Sequence, residues 1–415
     1  MGFIIRFALK NIWRYKKRTI ITFVAISIGI AAFIFLNSIL RGVHYESVRN
    51  FIDYESGHLK IYNKEFYREM SDEGFLVLNK GIDDYEKLEK LINSDNISTA
   101  ARITFEARLI NENTDGERAF NLVGIDPEKD KDVYKLPDAL ISGKFLGRDD
   151  ASILIGRKGA EKMEAKLGDT LTILTRTRND TYQTISVDIA GILDPPNPNI
   201  NSSFGYIPLN LADADLDMEG SVTEIGVLIK NGSLEEQINR INDILEKNNL
   251  RQLETVSWKE LGKDWLTLSR SKMSASYMMI LMVFIIAAVG IINTMLMSVF
   301  ERVKEIGMMR ALGMRDSEVI CSFMLEGGFI GFLGAVLGIF FGLIIDLYLV
   351  YHGWDLSFAR DMDIGYRIMK VMRGAWDFKA YIFAFLFSII VPAIISIYPS
   401  RKAIKMEITQ ALRSA

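Results

Sequence analysis

The chain has 415 residues, 49% of them hydrophobic, and a formal net charge of −3. Its one cysteine, Cys321, excludes an intrachain disulfide and a cysteine-built metal site, and His44, His58 and His352 show no ligand spacing. No GxxxxGKS/T, HExxH or GxSxG motif occurs, so neither a catalytic centre, a cofactor site nor a metal site is expected on this chain.

The hydrophobic residues gather in four blocks around a long charged middle section, the pattern of a membrane protein with one large water-exposed domain. Residues 1–18 carry Arg6, Lys10, Arg14, Lys16, Lys17 and Arg18 without an acidic residue, interleaved with Phe3, Ile4, Phe7, Ile12 and Trp13. That spacing predicts an amphipathic helix lying on an anionic membrane surface. Residues 19–42 are nearly all apolar and end in NSILRG rather than in a small-residue cleavage site, so a retained first transmembrane helix is expected. The basic flank places the N-terminus in the cytoplasm.

Residues 43–270 mix charges and contain no spanning-length apolar run. Residues rich in β-branched side chains predict strands at Ile103–Ile110, Ala151–Ile155, Thr170–Thr175, Ile185–Ile192 and Thr223–Ile229. Asn179-Asp180 reads as a turn, Asp84–Asn93 and Ser233–Asn248 as helices, and Asp194–Ser203 as a polar connecting loop. The result is an α+β domain outside the cytoplasm.

Residues 271–300 predict a second span, 301–317 a cytoplasmic segment, 318–350 a third span, 351–378 a short external loop and 379–400 a fourth span. Residues 401–415 return to the cytoplasm with Arg401, Lys402 and Lys405. The expected fold is therefore four transmembrane α-helices, N-in and C-in, with a large α+β extracytoplasmic domain inserted between helices 1 and 2. In the third span Gly327 and Gly331 share one spacing of four, and Gly334, Gly338 and Gly342 another. Such faces serve close helix packing, either within the chain's own bundle or against a second subunit. Glu326 beside them reads either as an anion near a helix N-terminus or as a gating or subunit contact, and Asp346 as reaching the headgroups.

The segment between the second and third spans is ERVKEIGMMRALGM, Glu301–Met314. Its charges Glu301, Arg302, Lys304, Glu305 and Arg310 alternate with Ile306, Met308, Met309 and Leu312, and Gly307 and Gly313 punctuate it. A short helix with apolar knobs and charges suits a groove on a partner protein; lying back on the membrane is the competing reading.

With these residues in view, the chain resembles the permease subunits of the type VII ABC superfamily, the group of macrolide-efflux (MacB), lipoprotein-releasing (LolC/LolE) and FtsX-like proteins. FALKNIWRYKKRTIIT is similar to that family's basic N-terminal helix, SGHLKIYNKEF, GDTLTIL, VDIAGIL and GYIPL to its external domain, and LEGGFIGFLGAVLG to its third helix. ERVKEIGMMRALGM resembles its coupling segment and YPSRKAIKMEITQALR its C-terminal motif. The resemblance implies a non-catalytic inner-membrane subunit. Two permeases, identical or different, would pair, each gripping a separate cytoplasmic ABC ATPase through Glu301, Arg302, Glu305, Ile306, Gly307, Met308, Met309, Arg310 and Leu312. ATP and Mg would be held by that partner, and substrate handled outside the cytoplasm. The closest likeness is to the lipoprotein-releasing permeases, which implies a lipoprotein substrate and a periplasmic carrier. A triacylated anchor holds on the order of 30 kcal/mol of buried chain, so its release would need ATP. One departure is the hairpin Thr175–Thr184, too short for the extended hook that captures a carrier in LolC-type proteins. The resemblance leaves open a MacB-like exporter or an FtsX-like module that activates a cell-wall hydrolase.

Overall fold

The computed structural model describes residues 16–72, 78–114, 116–355 and 371–405. Most of the predicted N-terminal amphipathic helix, the middle of the external loop and the last ten residues lie outside them. Contacts divide the described residues into a mixed unit, Glu46–Thr267, and a helical unit drawn from residues up to Tyr45 and from Leu268 onward.

The mixed unit is built on ten strands: β1 (Leu59–Asn63), β2 (Ile97–Asn111), β3 (Glu117–Ile125), β4 (Leu140–Gly143), β5 (Ser152–Gly156), β6 (Thr170–Arg176), β7 (Tyr182–Leu193), β8 (Phe204–Pro208), β9 (Glu224–Ile229) and β10 (Leu253–Ser257). The pairings β2–β3–β8–β5–β7–β6 return to β2 and close a ring, parallel only at β3–β8 and β5–β7. The fifteen-residue β2 makes this possible. Its second half pairs β6, while Ile97–Arg102 pairs β9, from which β1 and then β10 continue the sheet outward. In β7 the two-residue alternation is plain: Ile185, Val187 and Ile189 are buried, and Ser186 and Asp188 are exposed.

All five predicted strands and both predicted helices exist, the helices as Tyr85–Ile92 and Leu234–Lys247. Asp180 turns the β6–β7 hairpin at φ 59°. The predicted loop Asp194–Ser203 is a correction, because Pro198–Ser203 is helical. Asn197 caps it, its side chain accepting the Asn199 N–H at 2.9 Å, and Pro198 occupies the first turn, where its missing N–H costs nothing.

The helical unit holds α1 (Lys16–Phe51, which continues into the mixed unit), α2 (Lys263–Glu301, which begins there), α3 (Val303–Ala311), α4 (Asp316–Tyr351), α5 (Phe378–Ile395) and α6 (Ile397–Ile404). Three helices among the described residues are long and apolar enough to cross a membrane, those of α1, α4 and the α5–α6 run. The predicted second span is helical as α2, but does not count among those three. Ile26, Ile30 and Ile34 of α1 meet Gly334, Gly338 and Gly342 of α4 in the same order, so these helices run parallel. Gly327 and Gly331 meet Pro392 and Ser388 of α5 in reverse order, so α5 runs antiparallel to α4.

Candidate functional site

The α2 helix ends where Arg302 leaves helical geometry at φ −112° and ψ 15°. A new helix, α3, starts at once and stops at Gly313, whose φ of +93° an L side chain would rarely adopt. Next, the Arg315 N–H donates to Glu318 Oε2 at 2.9 Å, and α4 begins. A corner, one short helix and a second corner therefore occupy only fourteen residues.

The two faces of α3 differ. Val303 and Ile306 are buried, Ile306 in an apolar cluster with Val299 of α2 and Val319 and Phe323 of α4, while Met309, Met314 and Ile404 pack against its edge. Gly307 is buried on the same side. Opposite, Met308 is 55% exposed and Leu312 84% exposed, one turn apart, flanked by exposed Glu301 and Lys304. Glu305 and Arg310 are half-buried, and Arg310 Nε lies 3.0 Å from Asp316 Oδ1 at the start of α4.

This sorts the residues that the sequence grouped for docking. Met308 and Leu312 are presented outward. Arg302, Ile306 and Gly307 are turned inward and hold α3 in place, which corrects their reading as contact residues. The reason is periodicity: Val303, Ile306 and Gly307 share one buried helical stripe, and Ile306 on it joins Val319 and Phe323 in the apolar cluster. Met309 belongs to the cluster's rim rather than to an exposed pair of methionines.

Glu326 is corrected more sharply. It neither caps a helix end nor faces a second subunit. Its Oε2 accepts from Arg302 Nη1 at 2.9 Å, and both side chains are at most 2% exposed. The glycines are also internal. A Cβ on Gly331 would overlap the Ser388 carbonyl oxygen and one on Gly338 would press on Ile30, so these positions are filled by α5 and α1 of the same chain, not by a subunit. Asp346 is likewise a correction: it is 1% exposed and bonded by the Tyr381 hydroxyl instead of reaching headgroups.

At the other end of the same helices, the chain enters β1 from α1 and leaves β10 for α2. Strands β1 and β10 pair along their whole length, from Leu59 opposite Ser257 to Asn63 opposite Leu253. The Trp258 N–H donates to the His58 carbonyl at 3.1 Å, and Phe51 stacks on Trp265. Beside this lies a buried charged row that the sequence reading missed. Tyr62, Glu224 and Arg102 stand opposite one another across β1, β9 and β2. Glu224 accepts from Lys60 Nζ and Tyr62 Oη, each at 2.8 Å, while Arg102 makes a two-pronged pair with Asp130 and lies over the Tyr134 ring. Burial alone would raise the Glu224 pKa, but Lys60, Arg102 and Tyr62 overcome it and hold the carboxyl below its ordinary range. Burial likewise opposes charge on Arg102, and Asp130 more than offsets it, keeping the guanidinium above its usual value. The row satisfies its own charges and braces the part of the sheet that α1 leads into and α2 leaves.

Both parts of the chain resemble known proteins. Residues 19–243 match the MacB-like periplasmic core domain and residues 277–408 the FtsX-like permease C-terminal domain. The chain is 25% identical to the ABC transporter permease MJ1507 of Methanocaldococcus jannaschii, over 99% of this chain and 97% of the relative. It is 22% identical to the lipoprotein-releasing system transmembrane protein LolC of Neisseria meningitidis, over 96% of each. It is also 22% identical to the macrolide export ATP-binding/permease protein MacB of Pasteurella multocida, over 98% of this chain but 59% of that protein. The periplasmic region of MacB from Actinobacillus actinomycetemcomitans matches 52% of the chain at 14% identity with a TM-score of 0.38. The chain belongs to the MacB- and FtsX-like permeases of the type VII ABC transporter superfamily.

Proposed function

We propose that this chain is the membrane subunit of an ATP-driven complex that releases lipoproteins from the inner membrane, with the ATPase on a separate cytoplasmic subunit. The observation that carries the reading is α3: one face is held in the apolar cluster with Val319 and Phe323 of α4, and the other presents Met308 and Leu312 outward. An ATPase groove accepts those two apolar knobs, with Lys304 and Glu301 as charged flanks. ATP and Mg bind to that partner. Closure of two ATPase copies moves two permeases, α2 supplies the fourth span, and N- and C-termini lie in the cytoplasm. Motion then reaches the external domain along the continuous helices α1 and α2, whose chain ends meet at β1 and β10.

The second permease docks on the outward face of α2. Met278, Met282, Ile285 and Val289 are exposed there, and Asn293 on the same face carries an amide that lipid cannot satisfy but another helix can.

Purified complex in liposomes, loaded with a lipidated protein, tests the substrate. ATP should drive that protein into the soluble fraction. ATP turnover with the lipidated protein retained would favour the second reading, a MacB-like exporter. That reading draws on the β6–β7 hairpin, which closes at Thr177–Thr181 with no extended arm to seize a carrier.

A further inference from the structure

A docked helix moves the membrane spans only if it cannot swing independently of them. Arg302 sits at a break between α2 and α3, a place where the chain would otherwise flex. Among the described residues, three contacts oppose that freedom. The apolar cluster around Ile306 is non-directional and would tolerate sliding. The Arg310–Asp316 pair is solvated, with Asp316 58% exposed, and pairs of that kind are weak. The third contact, Arg302 to Glu326, is of another kind. Both groups are withdrawn from water and meet at 2.9 Å, so any slip of the corner along α4 strands two buried charges at once.

We infer that Arg302 and Glu326 are positioning residues of the coupling device: they lock the α2–α3 corner to α4 in one register, so that displacement of α3 is delivered to α4 instead of being lost in the corner. Delivery continues into α5, because Gly327, the neighbour of Glu326, packs against Pro392 and Ser396 without room for a side chain. The inference rests on the reading that α3 docks the ATPase. Its distinguishing feature is register, not stability. A well-packed apolar pair at these positions would hold the fold as firmly as the ion pair does, but would accept more than one alignment.

The test uses the full permease with its ATPase in nanodiscs. Four permeases are compared with wild type: Arg302→Met, Glu326→Gln, the apolar pair Arg302→Met with Glu326→Leu, and the swapped pair Arg302→Glu with Glu326→Arg. Retention of the ATPase and permease-dependent ATP turnover are read separately. The apolar pair should keep the wild-type melting temperature and bound ATPase, yet lose permease-dependent turnover by about tenfold with KM for ATP unchanged. The swapped pair should recover most of it. If the single variants fail to fold, the apolar pair still decides. An apolar pair that binds the ATPase and turns over like wild type would overturn the inference, as would a folded swapped pair no better than the apolar one. Failure of the wild-type chain to bind any ATPase would instead overturn the docking reading, and this inference with it.

Discussion

The ring of Phe51, at the end of α1, stacks on the ring of Trp265, near the start of α2, with centroids 5.9 Å and planes 26° apart. The two helices that would carry motion to the external domain are thus joined to each other just where they enter it. Trp265→Ala removes a contact worth about 1 kcal/mol beyond its buried area, so the protein should stay folded with a modestly lower melting temperature. Permease-dependent ATP turnover should persist while release of external substrate falls, because the break lies beyond the ATPase. Measuring both activities on one preparation checks this; a proportional loss of the two would argue against transmission through this joint.

The charged row in the sheet predicts an asymmetric stability response. Arg102→Met leaves Asp130 buried without its partner and should cost about 3–5 kcal/mol. Adding Asp130→Leu should recover most of that loss even though more polar contacts are gone. Urea or thermal unfolding of the three proteins in detergent provides the comparison.

His58 gives a pH dependence. Its Nδ1 accepts the Ile229 N–H at 3.1 Å, and burial lowers its pKa below the ordinary 6.5 while Asp53 partly opposes the shift. A group with a depressed native pKa takes up its proton more readily when unfolded. Its stabilising contribution is therefore present above about pH 6.5 and is lost as pH falls toward the native value. Melting temperature should drop on acidification from pH 7, and His58→Asn, which keeps an acceptor but cannot titrate, should flatten that slope.

Asn293 predicts a specific neighbour. In a Cys321→Ser background, Asn293→Cys should form a disulfide-linked dimer on mild oxidation if two copies of this chain pair through α2. Cross-linking only to a different permease would show a heteromeric pair, and no cross-link to either would remove α2 from the interface.

Much of this was readable in the sequence because it rests on short-range pattern. Alternating β-branched residues give β6 and β7, and the long apolar runs give α1, α4 and α5. The Asn197-Pro198 start of a helix was also present, as a cap followed by a proline, but six residues is too short for periodicity to show. The Arg302–Glu326 pair was not readable: the two residues are 24 apart, and only the fold of α3 back onto α4 makes them neighbours. A basic residue at a helix break followed by an acid inside the next span was the available signal. The same limit hid the Tyr62–Glu224–Arg102 row, whose members come from three strands far apart in the chain and meet only once the strands are in register.

The central claim, that the outer face of α3 grips a separate ATPase, is tested most directly by copurification of that ATPase with Leu312→Asp. Leu312 is 84% exposed and makes no part of the core, so the permease should insert, fold and melt as wild type. The account predicts loss of the bound ATPase and of its stimulated turnover, while a comparable exposed change in the β6–β7 hairpin, Tyr182→Asp, leaves both intact. Full ATPase binding by the folded Leu312→Asp permease would contradict it.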